Sequence, residues 1–119
     1  MAKAAVIIIA GTEGHANVGR LVNGLETAKE FAETDGDEVE LIFDGAGTKW
    51  VVELSDEDHD AHGLYKAVED HIDGACKFCA KAFGVINEIR KTDVELLAEY
   101  DDHPSLRNLI VDGYDVITF

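Results

Sequence analysis

The chain has 119 residues, of which 46% are hydrophobic and only one is proline, with a formal charge of −15. That is enough chain and apolar content for a single folded domain over residues 1–119, and it excludes a disordered tail. The 25 acidic residues against 10 basic ones repel phosphates and anionic lipid, so no nucleic acid and no membrane is expected among its partners.

In chain order, Ala4 to Ala10 is a continuous apolar, β-branched run, which predicts a strand buried on both faces of a parallel sheet. It is too short to cross a membrane. The Gly11-Thr12-Glu13-Gly14 that follows has no cleavage pattern, so a cytoplasmic location is expected. Val18, Leu21, Val22, Leu25, Ala28, Phe31 and Ala32 recur at helical spacing and predict a helix from about His15 to Thr34, ended by Asp35-Gly36-Asp37. Val39 to Phe43 is a second strand, followed by the loop Asp44-Gly45-Ala46-Gly47-Thr48. Trp50 to Leu54 has no clear period and is read as a short helix.

Leu64, Tyr65, Val68 and Ile72 mark a helix from about Ala61, and Ile72 to Cys76 is a short third strand despite its poor strand formers Gly74 and Ala75. Phe78 to Lys91 reads as helical with a break at Gly84, and Val94 to Leu97 as a fourth strand. His103-Pro104 opens a last helix that turns Leu106, Leu109 and Ile110 inward. Gly113 caps it, and Tyr114 to Phe119 is a fifth strand.

Strands alternating with helices specify an α/β domain, flavodoxin-like, with a five-stranded, mostly parallel sheet flanked by helices. The common order 2-1-3-4-5 would bring three carboxyl-end loops into one cleft, Gly11–His15, Asp44–Lys49 and Ala75–Cys79. The expected ligand-binding residues are then Gly11, Thr12, Gly14 and His15 together with Gly45, Gly47, Thr48 and Lys49. Gly11-Thr12-Glu13-Gly14 can offer backbone N–H groups to an anion. It lacks both the dinucleotide and the phosphate-loop fingerprints, and a plain strand-to-helix turn is the stronger reading.

Cys76 and Cys79 are the only cysteines, and they fall where the third strand hands over to a helix. A thiol at a helix N-terminus is expected to favour the thiolate, which reacts or binds metal. From Asp73 to Lys91 the charge is +2, with Lys77, Lys81, Arg90 and Lys91 against Asp73 and Glu88, so the rest of the chain carries −17. In a reducing compartment this spacing points to reactive or metal-binding thiols over a structural disulfide. Zinc would need two more ligands, for which His59 and His62 at one-turn spacing, or His71, are candidates. His59 and His62 sit in an Asp-rich run that reads as a solvated helix start, and no metal is assigned. A thioredoxin-like dithiol would follow the first strand of its domain, whereas this pair follows the third.

The strand, the Gly11-Thr-Glu-Gly-His15 loop, the long helix and the Phe43-Asp-Gly-Ala-Gly47 turn are joined by Gly74-Ala-Cys76-Lys-Phe-Cys79-Ala-Lys-Ala-Phe-Gly84. With the closing Leu109-Ile-Val-Asp-Gly-Tyr-Asp-Val-Ile-Thr-Phe119, this order resembles the DsrE/DsrF-like family of small sulfur-relay proteins over nearly the whole chain. The resemblance implies a flavodoxin-like fold and a homo-oligomer, a trimer or hexamer. It also implies a cysteine that accepts and passes on sulfur as a persulfide, between donor and acceptor proteins and without a cofactor. Cys76, eight residues before Gly84, matches the family position of the carrier, and Cys79 is a candidate resolving thiol. The alternatives are a non-catalytic module that binds a small anion or nucleotide, and a Cys-x-x-Cys zinc or redox site.

Two further expectations concern the surface. Trp50, Val51 and Val52 are more apolar than an exposed short helix would want, which suggests an interface between copies, the alternative being that the segment simply covers one sheet face. The evenly spread acids resemble those of proteins from salt-loving microbes, where concentrated cations screen self-repulsion, and suggest a haloarchaeal member of the family.

Overall fold

The computed structural model describes residues 1–119. Its strands are β1 (Lys3–Ile8), β2 (Glu38–Phe43), β3 (Ile72–Cys76), β4 (Leu96–Leu97) and β5 (Asp115–Thr118). Its helices are α1 (His15–Glu33), α2 (Lys49–Leu54), α3 (His62–Val68), α4 (Lys77–Ala82), α5 (Ile86–Ile89) and α6 (Leu106–Val111), with 3-10 turns at Gly45–Thr48 and Glu69–His71. The break between α4 and α5 falls at Gly84, whose φ of 73° suits glycine.

All strand pairs are parallel, and the sheet order is β4-β3-β2-β1-β5, not 2-1-3-4-5. Burial accounts for the difference. The order 2-1-3-4-5 would put β2 at an edge and β4 inside. Yet Val39, Leu41, Ile42 and Phe43 of β2 are all buried, while β4 has only two residues. The apolar strand takes the centre and the short ones take the edges. Gly74, a poor strand former by propensity, is what the β3–β4 pairing needs: a Cβ there would stand 2.5 Å from the Glu95 carbonyl oxygen. Asp73 is the extra residue where the β2–β3 register shifts between Leu41 and Ile42.

The two faces of the sheet are covered unequally. Ala4, Val6 and Ile8 of β1 with Val39, Leu41 and Phe43 of β2 point to the face packed by Leu21, Leu25 and Ala28 of α1, by α2 and by α3. Trp50 and Val51 are 1% and 0% exposed within this core, so the segment that suggested an intersubunit face is interior. The opposite face is thinner. Ala5, Ile7, Ile42 and Leu97 lie there under Leu106 and Leu109 of α6, with Tyr114 and Val116. Ile110, expected to point inward, is instead exposed together with Val111. Val18 of α1, also expected on the apolar face, is likewise exposed.

His103-Pro104 does not open the last helix. Ser105 is its N-cap and accepts the Asn108 N–H at 3.1 Å. Tyr100 and His103 instead close a tight turn by exchanging backbone hydrogen bonds of 2.9 and 2.8 Å. Its two central residues, Asp101 and Asp102, have φ of 48° and 65°, the doubly left-handed arrangement of a type I′ turn.

Candidate functional site

The carboxyl ends of β2, β3 and β4 are adjacent in this order, so the loops that leave them meet. Asp44 follows β2 and caps the 3-10 turn, its Oδ1 accepting the Gly45 N–H at 2.8 Å. Cys76 ends β3 and is the N-cap of α4, with its Sγ accepting the Cys79 N–H at 3.4 Å. His103 arrives from the turn beyond β4, and its Nδ1 lies 3.2 Å from the Cys76 Sγ. The carbonyl of Asp102 is 3.8 Å from the same sulfur. One donor atom each from Asp44, Cys76, Cys79 and His103 lies within 4.8 Å of all the others.

The two thiols are free and differ in environment: Cys76 is buried, Cys79 half-buried. Burial pushes the Cys76 thiol up to about 12, partly offset by the Cys79 N–H aimed at its sulfur. The expectation that the helix start would favour a thiolate at Cys76 is therefore overturned in the isolated chain. The helix is six residues long, and its dipole is outweighed by the loss of water around the sulfur. Cys76 rests as a thiol whose S–H donates a hydrogen bond toward the Asp102 carbonyl or the His103 nitrogen.

Of the other expected site residues, Gly45, Gly47 and Thr48 lie in the turn after β2 that packs against β3 and α4 beside the thiols, whereas the 11–15 loop follows β1. β2 separates β1 from β3, so Gly11, Thr12, Gly14 and His15 lie beyond it, with Gly14 and His15 exposed to solvent. The glycines after β2 serve packing. A Cβ on Gly47 would stand 2.1 Å from the Ile8 carbonyl oxygen, and Gly45 has φ 55°. Thr48 is buried and donates its hydroxyl to the Gly45 carbonyl at 2.8 Å, while Trp50 Nε1 donates to the Ala10 carbonyl at 2.8 Å. Lys49 Nζ sits 5.8 Å from the Phe83 ring centroid. None of the five main cavities is lined by residues of the 11–15 or 45–49 loops.

His59 and His62, two of the histidines considered for zinc, are occupied elsewhere. His59 Nδ1 accepts the Ala61 N–H at 3.0 Å and its ring packs edge-on against Trp50, while His62 Nδ1 bonds the Leu54 carbonyl at 2.7 Å. The histidine that does reach the cysteines, His103, was missed as a site residue. Its signal was available: it follows a strand neighbouring β3, in the polar run Tyr100-Asp101-Asp102-His103. Next to the cluster runs an open groove lined by Lys77, Phe78, Lys81, Ile86, Arg90 and Asp102. Phe78 links the two features, since its ring stacks on His103 at 4.7 Å and its N–H bonds the Asp102 carbonyl.

Compared with protein-family models, with curated proteins and with solved structures, the chain matches none.

Proposed function

We propose that the chain is a sulfur carrier that works through the Cys76–Cys79 dithiol. The observation that carries this reading is the pairing of Cys76 Sγ with an imidazole nitrogen at 3.2 Å, beside a second, more accessible thiol. A nucleophile needs a base within hydrogen-bond reach, and His103 meets that condition. Cys79 meets the donor. Its sulfur attacks the outer sulfur of a donor persulfide, the donor's S–S bond breaks, and the donor leaves as a thiol carrying the proton from Cys79. Cys76, giving its proton to His103, then attacks the outer sulfur. The S–S bond at Cys79 breaks, Cys79 leaves as a thiolate that recovers the proton from His103, and Cys76 holds the sulfur out of water. An acceptor thiol regains it by the same exchange in reverse.

The cationic groove favours an anionic donor. Lys77, Lys81 and Arg90 line it on a protein that otherwise repels anions. The test is mass spectrometry of metal-free protein after exposure to glutathione persulfide, a small anionic donor. Wild type should gain one sulfur atom, Cys76→Ser should lose the stable adduct, and Cys79→Ser and the Lys77→Glu/Lys81→Glu pair should load more slowly. If Cys76→Ser takes up sulfur as well as the wild type, the reading fails.

A homo-oligomer accompanies this reading. With Trp50 and Val51 interior, its support moves to Ile110 and Val111, which are 62% and 65% exposed on the helix that covers the thinner sheet face. Small-angle scattering at working salt should give a multimer, and Ile110→Glu/Val111→Glu should dissociate it. A clean monomer mass for the wild type refutes it.

A further inference from the structure

Two thiols, an imidazole and a carboxylate converge at the carboxyl edge of the sheet from three separate loops. We propose that Asp44, Cys76, Cys79 and His103 bind one tetrahedral divalent cation of the zinc class, through two thiolates, one imidazole nitrogen and one carboxylate oxygen. This goes beyond the sulfur reading and does not depend on it, because coordination requires the thiols and not their sulfur chemistry.

Spacing is the first argument. Zinc bonds of about 2.3 Å to sulfur and about 2.0–2.2 Å to nitrogen and oxygen place tetrahedral donors roughly 3.3–3.8 Å apart. The Cys76 Sγ to His103 Nδ1 distance is already 3.2 Å, and every pair in the quartet lies within 4.8 Å. Closing the widest pair by about 1 Å completes the shell, a side-chain adjustment.

The donor set is the second. Two thiolates with an imidazole select soft or borderline metals over calcium and magnesium, which take oxygen ligands. Two thiolates and a carboxylate carry three negative charges, which the dication reduces to one. The two thiol protons leave to solvent on binding.

Support behind the ligands is the third. Asp44 Oδ1 is held by the Gly45 N–H and Cys76 Sγ by the Cys79 N–H. The His103 ring is stacked on Phe78, and its backbone is fixed by the Tyr100 turn. Such outer contacts orient ligands, and losing them typically costs 10–100-fold in metal affinity. Three of the four ligands are only half-buried, which leaves an entry path from solvent. A bound cation ties up both thiolates, so the loaded protein cannot accept sulfur.

The experiment is titration of reduced, metal-free protein with Co²⁺, followed by its sulfur-to-metal charge-transfer and tetrahedral ligand-field absorption, then displacement by Zn²⁺. A saturating 1:1 complex displaced by zinc is expected. His103→Ala and Asp44→Ala should each weaken it at least about tenfold, and His71→Ala should leave it unchanged. In unaltered protein, zinc should protect Cys79, the accessible thiol, from alkylation, a readout independent of how any variant folds. No 1:1 complex, or wild-type affinity in His103→Ala and Asp44→Ala, overturns the site. Persulfide loading is measured separately on metal-free protein, so sulfur uptake without metal binding sinks this inference alone, and the converse sinks the sulfur reading alone.

Discussion

His103 Nδ1 stands 3.2 Å from Cys76 Sγ across 27 positions of sequence, and the contact depends on two consecutive left-handed aspartates. Asp tolerates that conformation because its short side chain can bond locally, whereas a β-branched residue does not. The thiols beneath the turn differ in access, and that difference is measurable.

Iodoacetamide should therefore label Cys79 first in the reduced, metal-free protein. Cys76 is fully buried, and its thiol is pushed up to about 12, so its thiolate is scarce at neutral pH. In Cys79→Ser, labelling should be slow at pH 7 and rise steeply only in denaturant. Peptide mapping of the labelled sites checks this, and equal labelling of both cysteines in the native protein would refute the burial argument.

Two glycines should respond oppositely to alanine. Gly19 lies in α1 with nothing within 4 Å of a built Cβ, so Gly19→Ala should stabilise by about 1 kcal/mol. At Gly47 the Cβ would meet the Ile8 carbonyl at 2.1 Å, so Gly47→Ala should cost about 3 kcal/mol or more through backbone displacement. Urea denaturation of the two variants is the comparison.

Asp73 and Glu40 stand on the sheet face that α6 covers. Burial raises both carboxyls, aided by Glu99 and Glu95 at Asp73 and by Asp73 at Glu40. A raised folded value means the folded state binds the proton more tightly. The associated stability is full below the unfolded values of about 3.9 and 4.3 and is lost as pH rises through the folded ones. Asp73→Asn should thus stabilise at pH 7 by about 0.5 kcal/mol, a half-exposed site limiting the gain. The advantage should vanish near pH 4, as thermal melts at the two pH values would show.

Salt should stabilise the protein. The fold holds four ion pairs against a net charge of −15 with histidines neutral, so repulsion dominates its surface. The Debye length falls from about 10 Å at 0.1 M to about 3 Å at 1 M, which removes most of that repulsion. The melting temperature should rise more across this range than for a charge-balanced surface variant. Equal responses would assign the effect to apolar burial.

Local signals carried most of the secondary structure. The β-branched run of β1, the helical spacing of α1 and the glycine at position 84 each depend on residues a few positions apart, and each element formed where its pattern stood. The Cys76–Cys79 pair at a strand-to-helix junction was legible for the same reason. Strand order was not, because it depends on which strand has most apolar surface to hide in the finished sheet, and that placed β2 at the centre. From the order follow the loops that meet. Asp44 and His103 joined the thiols, the 11–15 loop was left beyond β2, and Trp50 went into the core where the sequence suggested a surface. Burial then reversed the expected charge state of Cys76, since removing water from a sulfur outweighs one turn of helix dipole.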